Sequence, residues 1–168
     1  MNRQRDNSTA RAFTLIEVMM VVLIAGIAAL IVMPAMLDPG SMRTQAASRA
    51  VIADMLFAQN EAIAHQAERR VVFDVDAGLY RVTDGAGVAL AATWKSGGTY
   101  EVNFSTDDRF QGVSIASADF NGQAVLVFDA MGSPASGGQV ELRSGNDRYR
   151  VTVAAFTGRV TIEPVSGG

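Results

Sequence analysis

Residues 11–37 read RAFTLIEVMMVVLIAGIAALIVMPAML. The stretch is apolar enough to cross a bilayer, yet it keeps one carboxylate, Glu17, just inside its leading edge. From Val18 to Leu37 no residue is charged. A helix of that length spans about 30 Å at 1.5 Å per residue, the thickness of a hydrocarbon core. A lone acid at the centre of such a helix costs roughly 2.5–3.5 kcal/mol on insertion scales, and less near an end. Arg3, Arg5 and Arg11 precede the stretch, and Arg43 is the first basic residue after it. The positive-inside rule therefore predicts residues 1–12 in the cytoplasm and the rest of the chain across the membrane. Composition alone leaves two readings open, a cleaved secretory signal and an uncleaved anchor. The apolar run exceeds the usual 7–15 residues of a signal peptide's apolar region, and neither reading accounts for Glu17.

Outward from this segment, the 168-residue chain has room for one modest domain. Its net charge of −3 is uneven: outside residues 1–12 there are 11 basic and 16 acidic groups, a balance of −5. An acidic body argues against broad nucleic-acid binding, which depends on phosphate neutralisation. With no cysteine, disulfides, thiol nucleophiles and cysteine-based metal sites are excluded.

Asp38-Pro39-Gly40 breaks the apolar pattern. An amphipathic helix is predicted from about residue 41 to 69, with Ser41 as its N-cap. Ala47, Val51, Met55, Ala58 and Ala62 form its apolar stripe, widened by Ile52, Leu56 and Ile63. Arg49, Gln59, Asn60, Gln66 and Arg70 fall on the outward face. Strands are predicted at 71–75, 79–82, 100–105, 112–117, 124–129, 139–143, 148–154 and 159–163, separated by glycine- and asparagine-rich turns. A long helix followed by strands in series predicts an α+β domain with antiparallel sheet covered by the helix.

The residues carry two resemblances. Phe13-Thr14-Leu15-Ile16-Glu17, behind a basic leader and ahead of the apolar run, resembles the class III signal of type IV pilins and type II secretion pseudopilins. "FAQNEAIAHQAERRVVFDV" (57–75) is similar to the helix-to-strand passage of the GspH/FimT domain at Ala58, Glu61, Ala62 and Ile63. That domain's closing hairpins are matched at Val127-Phe128-Asp129, Gly132, Gly137-Gly138 and Gly158-Arg159-Val160; residues 84–122 match little.

The resemblance implies a type IV pilin-like fold, with a long N-terminal helix whose second half packs on antiparallel sheet. It implies a leader at 1–12, a membrane and filament-core helix at 13–37, and a periplasmic domain at 38–168. The prepilin peptidase would cut between Ala12 and Phe13 and methylate the new Phe13 amine. Ala12 stands where the family has glycine; as the smallest alternative it is expected to allow processing. Pro34 occupies the family's proline position and would kink the helix. Glu17 would pair with a neighbouring subunit's terminal amine and direct filament assembly. The implied function is that of a minor pseudopilin of type II secretion in the inner membrane. Its partners would be major and minor pseudopilins, the peptidase and the inner-membrane assembly platform. A minor pilin of a type IV pilus, concerned with assembly, adhesion or DNA uptake, is the alternative.

No catalytic constellation, cofactor or metal site is expected. Asp74-Val75-Asp76-Ala77-Gly78 lacks the later ligands of a calcium loop and reads as a hairpin turn. Asp107-Asp108 reads as a solvated turn. His65 stands alone at a polar helix end, and Gly85-Ala86-Gly87 lacks the third glycine of a dinucleotide loop. Arg143, Arg148, Arg150 and Arg159 are interspersed with acids and read as sheet-surface arginines.

Overall fold

A computed structural model describes residues 13–36, 39–95 and 97–165, with side chains 30–39 outside that description. Two compact units result, Met1–Asp38 and Pro39–Gly168. The first holds helix α1, Leu15–Met36. Thr14 starts it: its hydroxyl accepts from the Glu17 amide at 3.3 Å and its carbonyl from the Val18 amide at 3.2 Å. Every described side chain of residues 13–29 is exposed. With side chains described only to Ala29, no helix among the described residues is long and apolar enough to cross a membrane.

The second unit opens with α2, Pro39–His65. Eight strands follow: β1 (Arg69–Asp74), β2 (Leu79–Asp84), β3 (Glu101–Asn103), β4 (Ser114–Asp119), β5 (Val125–Phe128), β6 (Gly138–Ser144), β7 (Asp147–Val153) and β8 (Val160–Pro164). They build two antiparallel sheets, ordered β3-β2-β1-β5 and β4-β6-β7-β8. α2 packs on both, against β1 and β5 of one and β6 and β7 of the other.

The predicted stripe is the core face of α2: Ala47, Val51, Met55, Ala58 and Ala62 are fully buried. They meet Val71, Leu126, Val140, Val151 and an aromatic run that includes Phe73, Tyr80 and Phe104. Leu56 and Ile63 are instead exposed, because at about 100° per residue both fall well away from the centre of that stripe. Ser41 is not the N-cap, since α2 already begins at Pro39, whose fixed φ and missing N–H suit a first helical turn. The Ser41 hydroxyl meets the Tyr149 hydroxyl at 3.2 Å. Thr44 and Ser48 are buried polar residues whose hydroxyls return to the carbonyls of Gly40 and Thr44, each at 2.8 Å.

The helix ends at His65 rather than 69, where Gln66 takes a positive φ of 47° and the chain turns into β1. Asn121-Gly122 (φ 59° and 83°) is the turn between β4 and β5, and it hands the chain from one sheet to the other.

Candidate functional site

The residues implied for processing and assembly stand at the edge of α1. Ala12 lies outside the described residues. Phe13 is 79% exposed and directly precedes the Thr14 cap. Glu17 sits in the first turn of α1, where a carboxylate complements the positive end of the helix dipole. Thr14-Leu15-Ile16-Glu17 has the spacing of a capping box, and its threonine half is formed. Among the described residues no ion pair or hydrogen bond reaches the Glu17 carboxylate. α1 runs through Pro34 to Met36.

A polar cluster in the second unit escaped the sequence reading. Asp54, on α2, accepts from the Tyr80 hydroxyl at 2.7 Å and from the Tyr100 hydroxyl at 2.8 Å. Lys95 Nζ lies 3.6 Å from the same carboxylate and 4.1 Å above the Tyr100 ring, whose other contacts include Phe57, stacked at 4.6 Å. Burial, followed by the Asp54 charge and hydrogen bond, pushes the Tyr80 hydroxyl well above the usual tyrosine range. Tyr100 is raised by burial and by its hydrogen bond to Asp54. Both tyrosines therefore stay neutral donors, and the cluster ties β2 and the start of β3 to the helix. Beside it opens a groove of about 940 Å³, with Trp94 exposed at its edge. The signal was invisible locally because the partners lie 26 and 46 residues from Asp54.

Gln59, expected on the outward face, is a clasp. Its amide donates to the Gly132 carbonyl at 2.7 Å, and a methyl group on Gly158 would lie 2.9 Å from its nitrogen. The β5–β6 loop and the β7–β8 turn thus meet on α2. Gly132 and Gly158, two of the residues that carried the resemblance, have φ of 78° and 63°, and a Cβ there would press on the Ile63 and Gln59 side chains respectively.

The remaining candidates take structural positions. Asp74 accepts from the Ala77 amide within the β1–β2 turn. Asp107 caps a short 3₁₀ turn and pairs with Arg109 at 2.6 Å, which holds its carboxyl below the ordinary carboxylate value. His65 pairs with Glu61 one turn back, at 3.2 Å. The Asp84 carboxylate organises the Gly85-Ala86-Gly87 turn through the amides of Ala86 and Val88. Arg150 lies between Glu141 (2.7 Å) and Glu163 (3.8 Å) in a ladder across β6, β7 and β8. Among the described residues no group of three or more His, Asp or Glu converges as a metal would require.

Residues 47–158 match the family described as type II transport protein GspH, and residues 7–33 match the prokaryotic N-terminal methylation motif. The chain belongs to the GspH family. This marks it as a prepilin-type protein and a relative of the type II secretion pseudopilins. No curated protein matches it at the sequence level. Its fold is similar to that of the minor pseudopilin EpsH from the type 2 secretion system of Vibrio cholerae. One structure of EpsH is 12% identical, with a TM-score of 0.53 over 73% of this chain and 97% of that one. A second gives 13% and 0.53 over 76% and 99%. The type IV minor pilin FimU of Pseudomonas aeruginosa is 14% identical, with a TM-score of 0.51 over 72% and 88%. In each case the mixed fold, helix on antiparallel sheet, is what is shared.

Proposed function

We propose that this GspH-family chain is a minor pseudopilin, a structural subunit of the short periplasmic filament through which type II secretion moves folded proteins across the outer membrane. One observation carries the reading: a methylation motif at 7–33 and a GspH domain at 47–158 occur in that order in one chain. The role is structural; the clusters at Asp54 and Arg150 are closed by partners within the fold rather than poised for chemistry.

In this reading the prepilin peptidase cuts between Ala12 and Phe13 and methylates the Phe13 amine. The helix over 13–37 anchors the subunit in the inner membrane, with residues 1–12 cytoplasmic and the β domain periplasmic. Glu17 then meets the terminal amine of a neighbouring subunit. Paired charges are far less costly in low dielectric than either alone, so leaving lipid for the filament would be coupled to the pairing. Pro34 bends the helix, and the remaining partners are other pseudopilins and the inner-membrane assembly platform.

The test is a deletion strain complemented with wild type or Glu17→Ala, followed for the mature N-terminus, membrane insertion, exoprotein release and twitching. Expected are a mature chain that starts at N-methylated Phe13, and a mutant that inserts normally but is depleted from filaments at least tenfold. Lost twitching with intact exoprotein release would assign the chain to a type IV pilus instead. A mature N-terminus other than Phe13 would refute the processing step.

A further inference from the structure

The far end of α2 carries an apolar surface that folding does not use. Ile63 is 49% exposed, Met131 in the β5–β6 loop 82%, and Phe156 at the tip of the β7–β8 turn 89%. Both loops lie on α2: Gln59 donates to the Gly132 carbonyl, Gly132 packs against Ile63, and Gly158 of the β7–β8 turn closely approaches the Gln59 amide. Phe156 has φ +68°, a left-handed conformation that a bulky side chain rarely adopts and a glycine takes freely. The turn therefore holds an aromatic ring in solvent at a position where backbone sterics favour a smaller residue. Such outliers cluster at contact and functional sites, which makes the ring a candidate contact. In the same turn Arg159 is exposed and has no ion-pair partner among the described residues.

We infer that Ile63, Met131 and Phe156, with Arg159 at their edge, form a second assembly surface. Its occupant is an apolar, carboxylate-bearing face of a different subunit in the same filament; this rests on the pseudopilin reading. Area argues for a tethered partner. Three such side chains expose on the order of a few hundred Å², ordinary for the largest apolar patch of a monomer. A free-standing complex needs about 800 Å² from each partner. The surface suffices only against a neighbour already held close by a shared filament, where effective concentration replaces area. Charge argues against a second copy seated on the same patch. A patch seated on its own copy would bring two Arg159 side chains, neither with an ion-pair partner among the described residues, into one interface, while Glu61 is held by His65 and Asp129 by the amides of Met131 and Ser133.

The experiment uses the full chain in its own host, with the photo-crosslinker benzoylphenylalanine at position 156 or, as a control, at position 21 of α1. Position 156 should give an adduct with another chain that carries its own N-terminal methylation motif, at a peptide containing Asp or Glu. Phe156→Gly should keep or raise the melting temperature of the detergent-solubilised chain while lowering co-purification of that partner at least tenfold. Arg159→Glu should lower it comparably, and Arg159→Lys should retain it. An adduct with a second copy, an adduct with lipid alone, or unchanged co-purification with Phe156→Gly overturns the assignment. So does a fall in melting temperature with Phe156→Gly, which would make the ring structural. Adducts from position 21 but not 156 refute this surface alone; none from either position refutes the pseudopilin reading as well.

Discussion

The two helices are of similar length, 22 and 27 residues, and opposite in what surrounds them. α2 buries one narrow stripe completely and turns polar residues and a few aliphatics outward. α1 presents apolar side chains all round, and every described one is exposed. α2 thus finds its partner within its own chain, in two sheets that need a lid. A helix apolar on every side calls for apolar surroundings, such as lipid or other helices. On the proposed reading, substitutions in α1 and in the buried stripe of α2 should fail in different assays.

The sharpest contrast pairs two methionines. Met55→Ala in α2 removes a fully buried side chain and should cost about 2–5 kcal/mol, read as a lower melting temperature of the solubilised chain. Met20→Ala in α1 should leave that temperature unchanged and act on filament incorporation alone. Equal losses of stability from both would break the division.

Asp54→Ala comes next. It leaves two tyrosine hydroxyls without their acceptor, one of them on a fully buried residue, and should cost about 2–4 kcal/mol. Asp54→Asn, which keeps one carbonyl acceptor, should cost visibly less in the same denaturation series.

The same cluster sets an alkaline limit. Tyr80 and Tyr100 are raised in the folded chain, so their contribution is complete below the unfolded value near 10 and is lost as pH rises above it. Stability should fall by about 1.4 kcal/mol for Tyr80 at one pH unit above 10, and by less for Tyr100, which has readier access to solvent. Tyr80→Phe should flatten the dependence measured by denaturation between pH 9 and 11.

The smallest effect is expected at Leu56, on the exposed side of α2. Leu56→Gln should change stability by less than about 0.5 kcal/mol. A larger loss would mean that α2 is covered on two faces rather than one.

What the sequence made legible follows from periodicity. The stripe from Ala47 to Ala62 repeats at helical spacing, and all five residues are buried. The eight strands appear in the expected order, most within a residue or two of their bounds, because β-branched runs alternate with Gly and Asn turns. Pairing carries no such local mark. β5 joins β1 across more than fifty residues, so nothing local in the sequence marks how the strands divide between two sheets. Gln59 is polar on a helix and reads as solvated; only the approach of Gly132 and Gly158 makes it a clasp. Ser41 suits a cap by residue type, but Pro39 starts the helix first. At the start of α1 the FTLIE word falls within the methylation motif at 7–33, whereas the Asp54 cluster required contacts that no short word contains.

The Asn121-Gly122 turn has a consequence in time. It sends β4 to await β6 while β5 returns to β1, so the sheets are interleaved along the chain and neither is built from one continuous run of strands. Long-range pairing of this kind slows folding. A chain emerging N-terminus first cannot close its second sheet until β8 has followed. Until then the underside of α2 lacks part of its cover, and release of a chain truncated before β6 would leave that stripe open to aggregation or proteolysis.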